Sequence, residues 1–398
     1  MMVNKKCLKE FLKVMEMKEF EEKMKFTAED LHLSVKIFYD NLEAEAPLQK
    51  AGGIIAPIIC YQAHAPRLRA HYPFDPEPDW LFCNLIVNGH TGVGKKLITY
   101  IVKLLTKDMT ELDKLERRLL QQIRDANKTK GSNQEKQQEP LIIIRCLQDF
   151  TLPVIASYSD QQERRLGEPI GFFLHSDEVG QICENRKSKL SLQAVARTAF
   201  SLTEEYVKDT LYKDGYNAST NIFWNSVICS QQASLDDYIT KKGLQCGDGS
   251  RQIIVDLGEE LAPEAPVFHP LTPDQLQLVD ATIEKLNNET FTFTNDGKIS
   301  GLKPTHLIDM SFLHHDIKQW CESQRVKVAK TGSRALEAFY VRASVSAFRL
   351  SATLYHLWNE QKEHQDKVRR FYLYFAQHIL DGQILTRRKY KYLAIVLK

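Results

Sequence analysis

Apolar and polar residues alternate along this chain in segments that predict strands and helices in turn. Five apolar runs have the length and residue types of buried strands, and they cover residues 81–87, 141–145, 170–175, 222–229 and 252–256. Between these runs, apolar residues recur at helical spacing. Alternating buried strands and helices are typical of a mainly parallel sheet flanked by helices. The pattern therefore predicts an α/β fold over about residues 50 to 260.

Changes in composition mark the predicted domains. Residues 1–50 are charged and helix-prone, which predicts a helical lead-in. A proline-dense stretch at 261–273 ends the α/β region, so the predicted domain spans residues 51–262. From 272 to 398 the apolar residues follow helical spacing, and we expect an all-helical C-terminal domain.

Three connecting segments of the α/β region are assigned from the same patterns. Residues 151–157 are expected to continue a connection between strands, and residues 188–212 to be helical. The stretch 127–139 is polar with few apolar residues, which predicts a mobile loop. Both a substrate or partner loop and a plain linker fit this composition.

The most distinctive local pattern is a glycine-rich turn between the first predicted strand and a predicted helix. The turn reads G-x-x-x-x-G-K and consists of Gly89, His90, Thr91, Gly92, Val93, Gly94 and Lys95. Its glycines allow backbone N–H groups to turn inward around a phosphate, and the helix N-terminus adds a favourable dipole. Lys95 would contact the β- and γ-phosphates of ATP. The pattern predicts nucleotide binding, and a chance glycine-rich turn is the alternative.

The residue after Lys95 departs from this pattern. A serine or threonine normally follows the lysine, and its hydroxyl ligates Mg²⁺, whereas this chain has Lys96. A lysine has no acceptor lone pair and repels a divalent cation. Although Lys96 borders the expected phosphate site, we expect it to weaken the metal site more than it weakens phosphate binding.

A second pattern supplies the acidic residues that ATP hydrolysis needs. The apolar run at 170–175 leads into Ser176, Asp177 and Glu178. An acidic residue at the carboxyl end of a strand can bind Mg²⁺, and a following carboxylate can polarise the attacking water. We assign Asp177 to the metal and Glu178 to the water. A helix N-cap at Ser176 or Asp177 is compatible with these roles.

Two more positions are candidates for contacts to the γ-phosphate. The run at 222–229 ends in the polar residues Ser230 and Gln231, which could sense this phosphate. Arg251 follows a glycine-containing loop, and this position suits an arginine finger that acts within the chain or on a neighbouring subunit. An ordinary surface arginine is the alternative reading of Arg251.

The composition restricts the class of protein. Among 398 residues, 43% are hydrophobic and 26% are charged, as in soluble globular proteins, and the net charge of +2 indicates no overall basic field for nucleic acid. The eight cysteines show neither a C-x-x-C pair nor zinc-finger spacing, which favours reduced thiols. No apolar stretch reaches membrane-spanning length, and the start lacks a signal-peptide core, so we expect a cytoplasmic protein without membrane contact.

Histidines and the C-terminal tail add two weaker expectations. His314, His315, His356 and His364 lack the extra ligands that a metal would need, so we expect ordinary core or surface histidines. The tail at 386–392 is basic with interleaved tyrosines. Such a segment can bind phosphates and stack on bases, although short basic ends are commonly just solvated.

Taken in order, several of these motifs resemble a family of P-loop proteins found on phages, plasmids and integrated elements of bacteria. The motifs are the proline-rich lead-in at 72–79, the strand and Gly-x4-Gly-Lys turn, the Ser-Asp-Glu strand end, the segment 224–232, Arg342 and the segment 346–350. The resemblance covers roughly residues 40 to 380. Members are similar to the ATPase or helicase half of primase–helicase proteins and carry a domain of unknown function.

The resemblance implies a P-loop NTPase fold of the RecA or AAA type, with ATP and Mg²⁺ as cofactors. It also implies a helicase-like ATPase that acts on single-stranded or duplex DNA in the replication of a mobile element. Residues 1–50 are too few for a primase domain, so a separate primase is expected as a partner. A homo-oligomeric ring is expected if Arg251 acts on a neighbour.

Two other functions remain open at this stage. The first is a nucleotide-binding protein that hydrolyses poorly and serves a structural or regulatory role, and Lys96 favours it. The second is a small-molecule kinase, which would need a lid with arginines near the phosphates that the sequence does not clearly supply.

Overall fold

A computed structural model of the chain describes residues 25–43, 47–90, 92–129, 145–147, 151–180, 193, 200, 206–208, 218–239, 249–257, 266–295, 298–331 and 334–389. The helices with bounds in these residues are α1 (Leu33–Asp40), α2 (Pro47–His64), α3 (Lys95–Leu105), α4 (Lys107–Thr129), α5 (Leu152–Leu166), α6 (Gln232–Tyr238), α7 (Pro273–Thr290), α8 (His314–Thr331), α9 (Arg334–Leu357) and α10 (Gln365–Lys389). The strands are β1 (Leu42–Glu43), β2 (Leu68–Ala70), β3 (Asp79–Trp80), β4 (Asn84–Asn88), β5 (Cys146–Leu147), β6 (Phe172–Ser176), β7 (Tyr206–Lys208), β8 (Ala218–Thr220), β9 (Trp224–Ser230), β10 (Ile253–Asp256), β11 (Val267–Phe268), β12 (Phe291–Phe293), β13 (Ile299–Leu302) and β14 (His306–Ile308).

The central sheet has five strands in the order β10, β4, β9, β6, β5, and every neighbouring pair is parallel. In this arrangement β9 lies between β4 and β6, although it follows both in the chain. The register aligns Asn88 at the end of β4 with Ser230 of β9 and with Asp256 of β10. The carboxyl ends of the strands therefore meet at one edge of the sheet, which we call the carboxyl edge.

Alternate residues of the central strands face opposite sides of the sheet, as the two-residue period of a strand requires. On one side, Leu85 and Val87 of β4 belong to a hydrophobic cluster with residues of α2, α3, α9 and α10. On the other side, Ile86 packs with residues of α5 and α6. Because both faces are covered, β4 and β9 are buried along their whole length, which explains their nearly continuous apolar sequences.

The predicted α/β fold with a parallel sheet flanked by helices is confirmed, but the helix assigned to residues 188–212 is wrong in part. The segment at 151–157 lies in helix α5, which begins with proline in its first turn and buries Ile155 and Ala156. Within 188–212, β7 forms an antiparallel pair with β8 instead of a helix. Gln193 and Phe200 are helical. Residues 127–129 end α4, and 130–139 and 141–144 lie outside the described residues.

The C-terminal region is mainly helical but not all-helical. Strands β12 and β13 form an antiparallel pair, and β14 pairs in parallel with β2. The sequence Asn295-Asp296-Gly297 between β12 and β13 is a typical hairpin signal. The segments on both sides have strong helical periodicity, and this periodicity favours a helical prediction over a hairpin.

The C-terminal helices pack into the same core as the sheet. One hydrophobic cluster contains residues from α1, α2, the sheet and helices α7 to α10. At Gly382 of α10, an added Cβ would lie only 2.5 Å from the carbonyl oxygen of Ile254 in β10. The backbones of α10 and the edge strand β10 therefore approach each other directly at Gly382. Among the described residues, no helix combines the length and apolar content needed to cross a membrane.

Candidate functional site

The glycine loop, residues 89–94, connects the end of β4 to the first turn of α3. Gly92 and Gly94 have φ angles of +95° and +94°, a left-handed conformation that glycine adopts without strain. Gly94 is the N-cap of α3, and a Cβ at this position would overlap the ring of Pro266. Backbone geometry therefore accounts for glycine at both positions.

Lys95, the first residue of α3, directs its side chain toward the end of the sheet. Its Nζ donates hydrogen bonds to the carbonyl oxygens of Gly89 at 2.7 Å and Ser230 at 2.9 Å. Partial burial lowers the pKa of Lys95, and the negative charge of Glu178 opposes this shift. Because an ammonium group has three N–H donors, Lys95 can donate one more to a phosphate oxygen.

A threonine one turn along α3 supplies a hydroxyl next to the acidic residues, which Lys96 does not. Lys96 itself is exposed. Thr99 Oγ1 donates a hydrogen bond of 2.8 Å to Asp177 Oδ1. Since residues four apart lie on the same face of a helix, Thr99 follows Lys95 along the face that meets the sheet.

Asp177 follows β6 and lies in a cluster of polar side chains. His175 Nε2 lies 3.1 Å from Asp177 Oδ1, and Lys103 Nζ lies 3.6 Å from Asp177 Oδ2. Burial raises the pKa of Asp177, but the hydrogen bond from Thr99 and the charges of His175 and Lys103 outweigh it and lower the pKa overall. Asp177 is thus an exposed, ionised carboxylate, the ligand type that Mg²⁺ prefers.

His175 links Asp177 to the neighbouring strand. Its Nδ1 lies 2.9 Å from the carbonyl oxygen of Val227 in β9, so both ring nitrogens face oxygen acceptors. Burial lowers the pKa of His175 and favours the neutral ring, whereas both acceptors favour the protonated ring. A cation bound to Asp177 would relieve this conflict, because it would attract the carboxylate and the Nε2 lone pair together.

Glu178 is tied to the end of β9. Its Oε1 accepts hydrogen bonds from the backbone N–H of Gln231 at 3.2 Å and of Gly180 at 3.4 Å. Ser176 Oγ donates to the carbonyl oxygen of Glu178 at 3.0 Å. The side chain of Gln231 is exposed. The group that donates to the Glu178 carboxylate is the backbone N–H of Gln231 and not its side-chain amide. These contacts place Glu178 beside Lys95 at the carboxyl edge.

Asn88, the last residue of β4, contacts one polar side chain at the end of β10 and one just after β9. Its Nδ2 donates to Gln232 Oε1 at 2.9 Å and lies 3.5 Å from Asp256 Oδ1. Its Oδ1 is buried and has no hydrogen-bond partner among the described residues. Polar side chains of β4 and β10 and the first residue of α6 therefore extend the cluster at the carboxyl edge.

Arg251 is not part of this cluster. It precedes β10, whose parallel register with β4 places Asp256 beside Asn88 at the carboxyl edge. The four residues of β10 span about 10 Å, and Arg251 lies two residues before the strand, at the end of a short 3₁₀ helix. Arg251 therefore lies at the amino edge of the sheet, where it cannot reach the glycine loop of its own chain. A contact with a neighbouring chain stays a prediction.

The structure thus brings together Lys95, Asp177 and Glu178, and adds Thr99 and His175, which the motifs did not indicate. Two spacings could have revealed them: Thr99 is four residues after Lys95 on a helix, and His175 is two residues before Asp177 on a strand. His90 is exposed, Val93 is buried, and Thr91 lies outside the described residues.

Comparison with known proteins adds no further identification. No protein-family model matches this chain, and a search of curated proteins finds no match either.

Proposed function

We propose that the chain is a P-loop nucleotide-binding protein, and that it hydrolyses ATP. One observation carries the proposal: Lys95 at the glycine loop and the acidic pair Asp177 and Glu178 at the end of β6 converge at the carboxyl edge. Ligands of open α/β sheets bind at this edge. A chance glycine-rich turn would have no reason to lie beside two acidic residues from a strand that is not its neighbour.

The strand order supports the same proposal. Numbered by their order in the chain, the central strands run five, one, four, three, two. This order differs from the 3-2-1-4-5-6 order of dinucleotide-binding folds. It is the order expected of a RecA-like or AAA-like ATPase, in which the strand before the glycine loop and the acidic strand flank one central strand.

The proposed ligands fit the residues present. The glycine loop, the N-terminus of α3 and Lys95 would hold the phosphates of ATP. Asp177 would hold Mg²⁺, with Thr99 orienting its carboxylate, and Glu178 would orient the attacking water. The metal would neutralise charge that develops on the phosphates. Lys96 is exposed and would lie outside the metal's ligand set.

The substrate and partners rest on the resemblance alone. It implies a helicase-like, cytoplasmic protein that acts on DNA during replication of a mobile element, with a separate primase. Because Arg251 lies at the amino edge, an arginine finger at this position would act on a neighbouring subunit and would require a ring or another oligomer. The basic tail at 386–392 has no described side chains.

The alternative function is a nucleotide-binding protein that hydrolyses poorly and has a structural or regulatory role. Its specific support is Lys96 in place of a metal-binding hydroxyl. In this case the phosphates would still bind at Lys95. The C-terminal helices, which pack into the same core as the sheet, would respond to the bound nucleotide.

Nucleotide binding and ATP hydrolysis, each measured with and without single-stranded DNA, test the proposal. We expect Lys95→Ala to abolish nucleotide binding and Glu178→Gln to abolish hydrolysis while binding persists. Lys107→Ala, an exposed lysine at the start of α4 and about 18 Å along the helices from Lys95, is the matched control.

The outcomes separate the two functions. Turnover in the wild type that increases with DNA supports the helicase-like ATPase. Nucleotide binding without turnover, with turnover gained in Lys96→Ser, supports the regulatory protein. If the wild-type protein binds no nucleotide under either condition, the assignment of the glycine loop is wrong.

A further inference from the structure

Far from the glycine loop in sequence, two histidines and a glutamate form a compact cluster. His306 is the first residue of β14, His356 lies in the last turn of α9, and Glu360 follows that helix. One ligand atom from each residue can be chosen so that all three lie within 4.8 Å of one another. The cluster thus offers two nitrogen donors and one oxygen donor, a combination that can hold a metal ion.

A single carboxylate oxygen connects the two imidazoles. His356 Nδ1 lies 3.0 Å from Glu360 Oε1, and His306 Nε2 contacts the same oxygen. The centroids of the two rings are 5.1 Å apart. The donor atoms of all three side chains therefore lie close to one location, although His306 comes from β14 and the other two residues from the end of α9 and the turn after it.

A second glutamate fixes the ring of His356 from its other side. Glu289 Oε2, near the end of α7, lies 2.8 Å from His356 Nε2. Metal-binding histidines characteristically donate their second ring N–H to a carboxylate, which sets the tautomer and the ring orientation. With Nε2–H donating to Glu289, His356 Nδ1 presents its lone pair toward His306 and Glu360.

The backbone at Glu360 has an uncommon conformation. Asn359 and Glu360 have φ angles of +54° and +58°. Asparagine tolerates this left-handed region, but for glutamate it costs on the order of 1 kcal/mol. Two contacts with Tyr355 hold the turn: Glu360 N–H donates to the Tyr355 carbonyl oxygen at 3.1 Å, and Tyr355 Oη donates to the Glu360 carbonyl oxygen at 2.7 Å. The fold thus maintains a strained residue whose carboxylate meets both histidines.

The cluster is anchored in the protein and open on one side. The side chain of His356 is 7% exposed, that of Glu360 is 24% exposed, and that of His306 is 50% exposed. A metal ion could therefore enter from solvent, and a water molecule could complete its coordination. Three protein ligands and one open position are common at zinc sites.

We propose that His306, His356 and Glu360 bind one divalent metal ion of the zinc class. His306 Nε2, His356 Nδ1 and a carboxylate oxygen of Glu360 are the ligands, and Glu289 is a positioning residue that acts through His356. Imidazole and carboxylate ligands suit Zn²⁺ better than Mg²⁺, which prefers oxygen alone. The ion ties β14 to the end of α9. The proposal departs from the expectation that His356 is an ordinary histidine, because the fold brings His306 from a distant segment beside His356 and Glu360.

The competing account is an ion cluster held by protons. In it, a protonated His356 donates from both ring nitrogens to Glu289 and Glu360, and no metal binds. Both accounts place a positive charge beside His356 Nδ1 and Glu360 Oε1: the metal ion in the first account and a proton in the second. They differ in the amount of metal bound: the metal proposal expects one divalent ion per chain, and the competing account expects none.

Titration with Co²⁺ tests the proposal in the untagged full-length chain after removal of metal by a chelator. We expect one Co²⁺ per chain with the visible absorption of a low-coordinate nitrogen–oxygen site, and displacement by Zn²⁺. His306→Ala should weaken binding by about 100-fold or more, and Glu289→Gln by about 10-fold. The control for His306→Ala is His315→Ala, another exposed histidine, which should bind as the wild type does.

Two more variants control for misfolding and for metal binding at the carboxyl edge. Because His356 is buried, its removal could disturb folding, so Glu360→Gln serves as the second ligand variant, with its fold checked by circular dichroism. Asp177→Asn removes the carboxylate at the carboxyl edge and should retain the Co²⁺ spectrum. Absence of stoichiometric binding, or wild-type binding by both His306→Ala and Glu360→Gln, overturns the proposal and leaves the proton-held cluster.

Discussion

Thr99 Oγ1 donates a hydrogen bond of 2.8 Å to Asp177 Oδ1, and this contact joins the helix after the glycine loop to the end of β6. The two residues belong to elements on either side of β9. The hydroxyl stands four residues after Lys95, instead of at the next position, where this chain has Lys96. We infer that Thr99 orients the Asp177 carboxylate and so supports a metal site that lacks the expected hydroxyl ligand at position 96.

Replacing Thr99 with valine tests this role, since valine keeps the shape of the side chain and removes the hydroxyl. A hydrogen bond to a charged group contributes about 1.5 kcal/mol, so we expect Mg²⁺-dependent nucleotide affinity to fall about tenfold. Affinity without Mg²⁺ should not change, because Lys95 and the loop remain. Isothermal titration with and without Mg²⁺ measures both quantities.

The matched control for this variant is Thr110→Val. Thr110 Oγ1 donates to the carbonyl oxygen of Thr106 at 2.8 Å within the helical segment after α3, so the substitution removes a hydroxyl without touching Asp177. Equal losses in Thr99→Val with and without Mg²⁺ would show that Thr99 supports the loop and not the metal site.

Gly94 and Gly167 both have left-handed backbone conformations but differ in the packing around them. Comparing alanine substitutions at the two positions therefore separates the effect of packing on stability from the effect of backbone strain. Their φ angles are +94° and +85°, but an added Cβ at Gly94 would overlap Pro266, whereas at Gly167 it would meet nothing within 4 Å. We expect Gly167→Ala to lower the free energy of unfolding by about 1 kcal/mol. Gly94→Ala should lower it by about 3 kcal/mol, because overlap is added to the strain.

Urea denaturation of both variants measures this difference, and nucleotide binding provides a second readout. Only Gly94→Ala should weaken binding, since Gly167 ends α5, away from the loop. Similar destabilisation in the two variants would mean that Pro266 moves aside without cost.

The sequence was sufficient to predict the sheet because its strands are buried on both faces. Such strands are apolar almost throughout, as β4 and β9 are, and turn-rich segments bound them. The strand order could not be predicted, because no local pattern states that β9 inserts between β4 and β6. Residues 151–157 were not predicted as a helix because their apolar run is short and contains Pro153, a residue more often found in loops than in helices.

The candidate site was predictable to the extent that motifs have fixed spacing. Lys95, Asp177 and Glu178 each follow a recognisable local pattern, whereas Thr99 became relevant only when Asp177 was placed beside it. Arg251 could have been judged better from sequence, since a residue that precedes a parallel strand lies at the edge opposite the carboxyl ends. The hairpin of β12 and β13 also carried a signal, in the turn sequence at 295–297.

The close contact between α10 and the edge strand predicts that the C-terminal helices stabilise the sheet. A methyl group at Gly382 would lie 2.5 Å from the carbonyl oxygen of Ile254, so Gly382→Ala must push the helix away from β10. We expect a loss of about 2 kcal/mol in the free energy of unfolding, although alanine favours helices more than glycine does. Asp381→Asn is the control: it lies at the exposed neighbouring position and keeps an acceptor oxygen for the hydrogen bond from Gln377 Nε2, so it should change stability by less than about 0.5 kcal/mol.

Denaturation followed by fluorescence and by circular dichroism checks this prediction. Because one hydrophobic cluster joins the sheet and the C-terminal helices, both signals should move together to lower urea concentration in Gly382→Ala. An increase in stability would mean that α10 does not approach β10 so closely.

Buried His64 predicts a loss of stability at mildly acidic pH. Its ring lies in the core, with Nε2 2.8 Å from the Leu105 carbonyl oxygen and Nδ1 3.1 Å from Asn287 Oδ1. Burial and, to a smaller extent, the charge of Arg145 lower the pKa of His64 from 6.5 to about 4. The folded protein therefore keeps this ring neutral at pH values where the unfolded chain binds a proton.

The sign of the effect follows from this difference in proton binding. The contribution of His64 to stability is fully present above pH 6.5 and declines as the pH falls toward 4, by about 3 kcal/mol in total. We expect His64→Gln to be less stable at neutral pH but to lose less stability than the wild type between about pH 7 and pH 5. Urea denaturation across this range measures both slopes, with the exposed His315→Gln as a control that should keep the wild-type slope. A ring resonance of His64 that titrates near its ordinary pKa in the folded protein would contradict the prediction, because the folded and unfolded states would then bind protons alike.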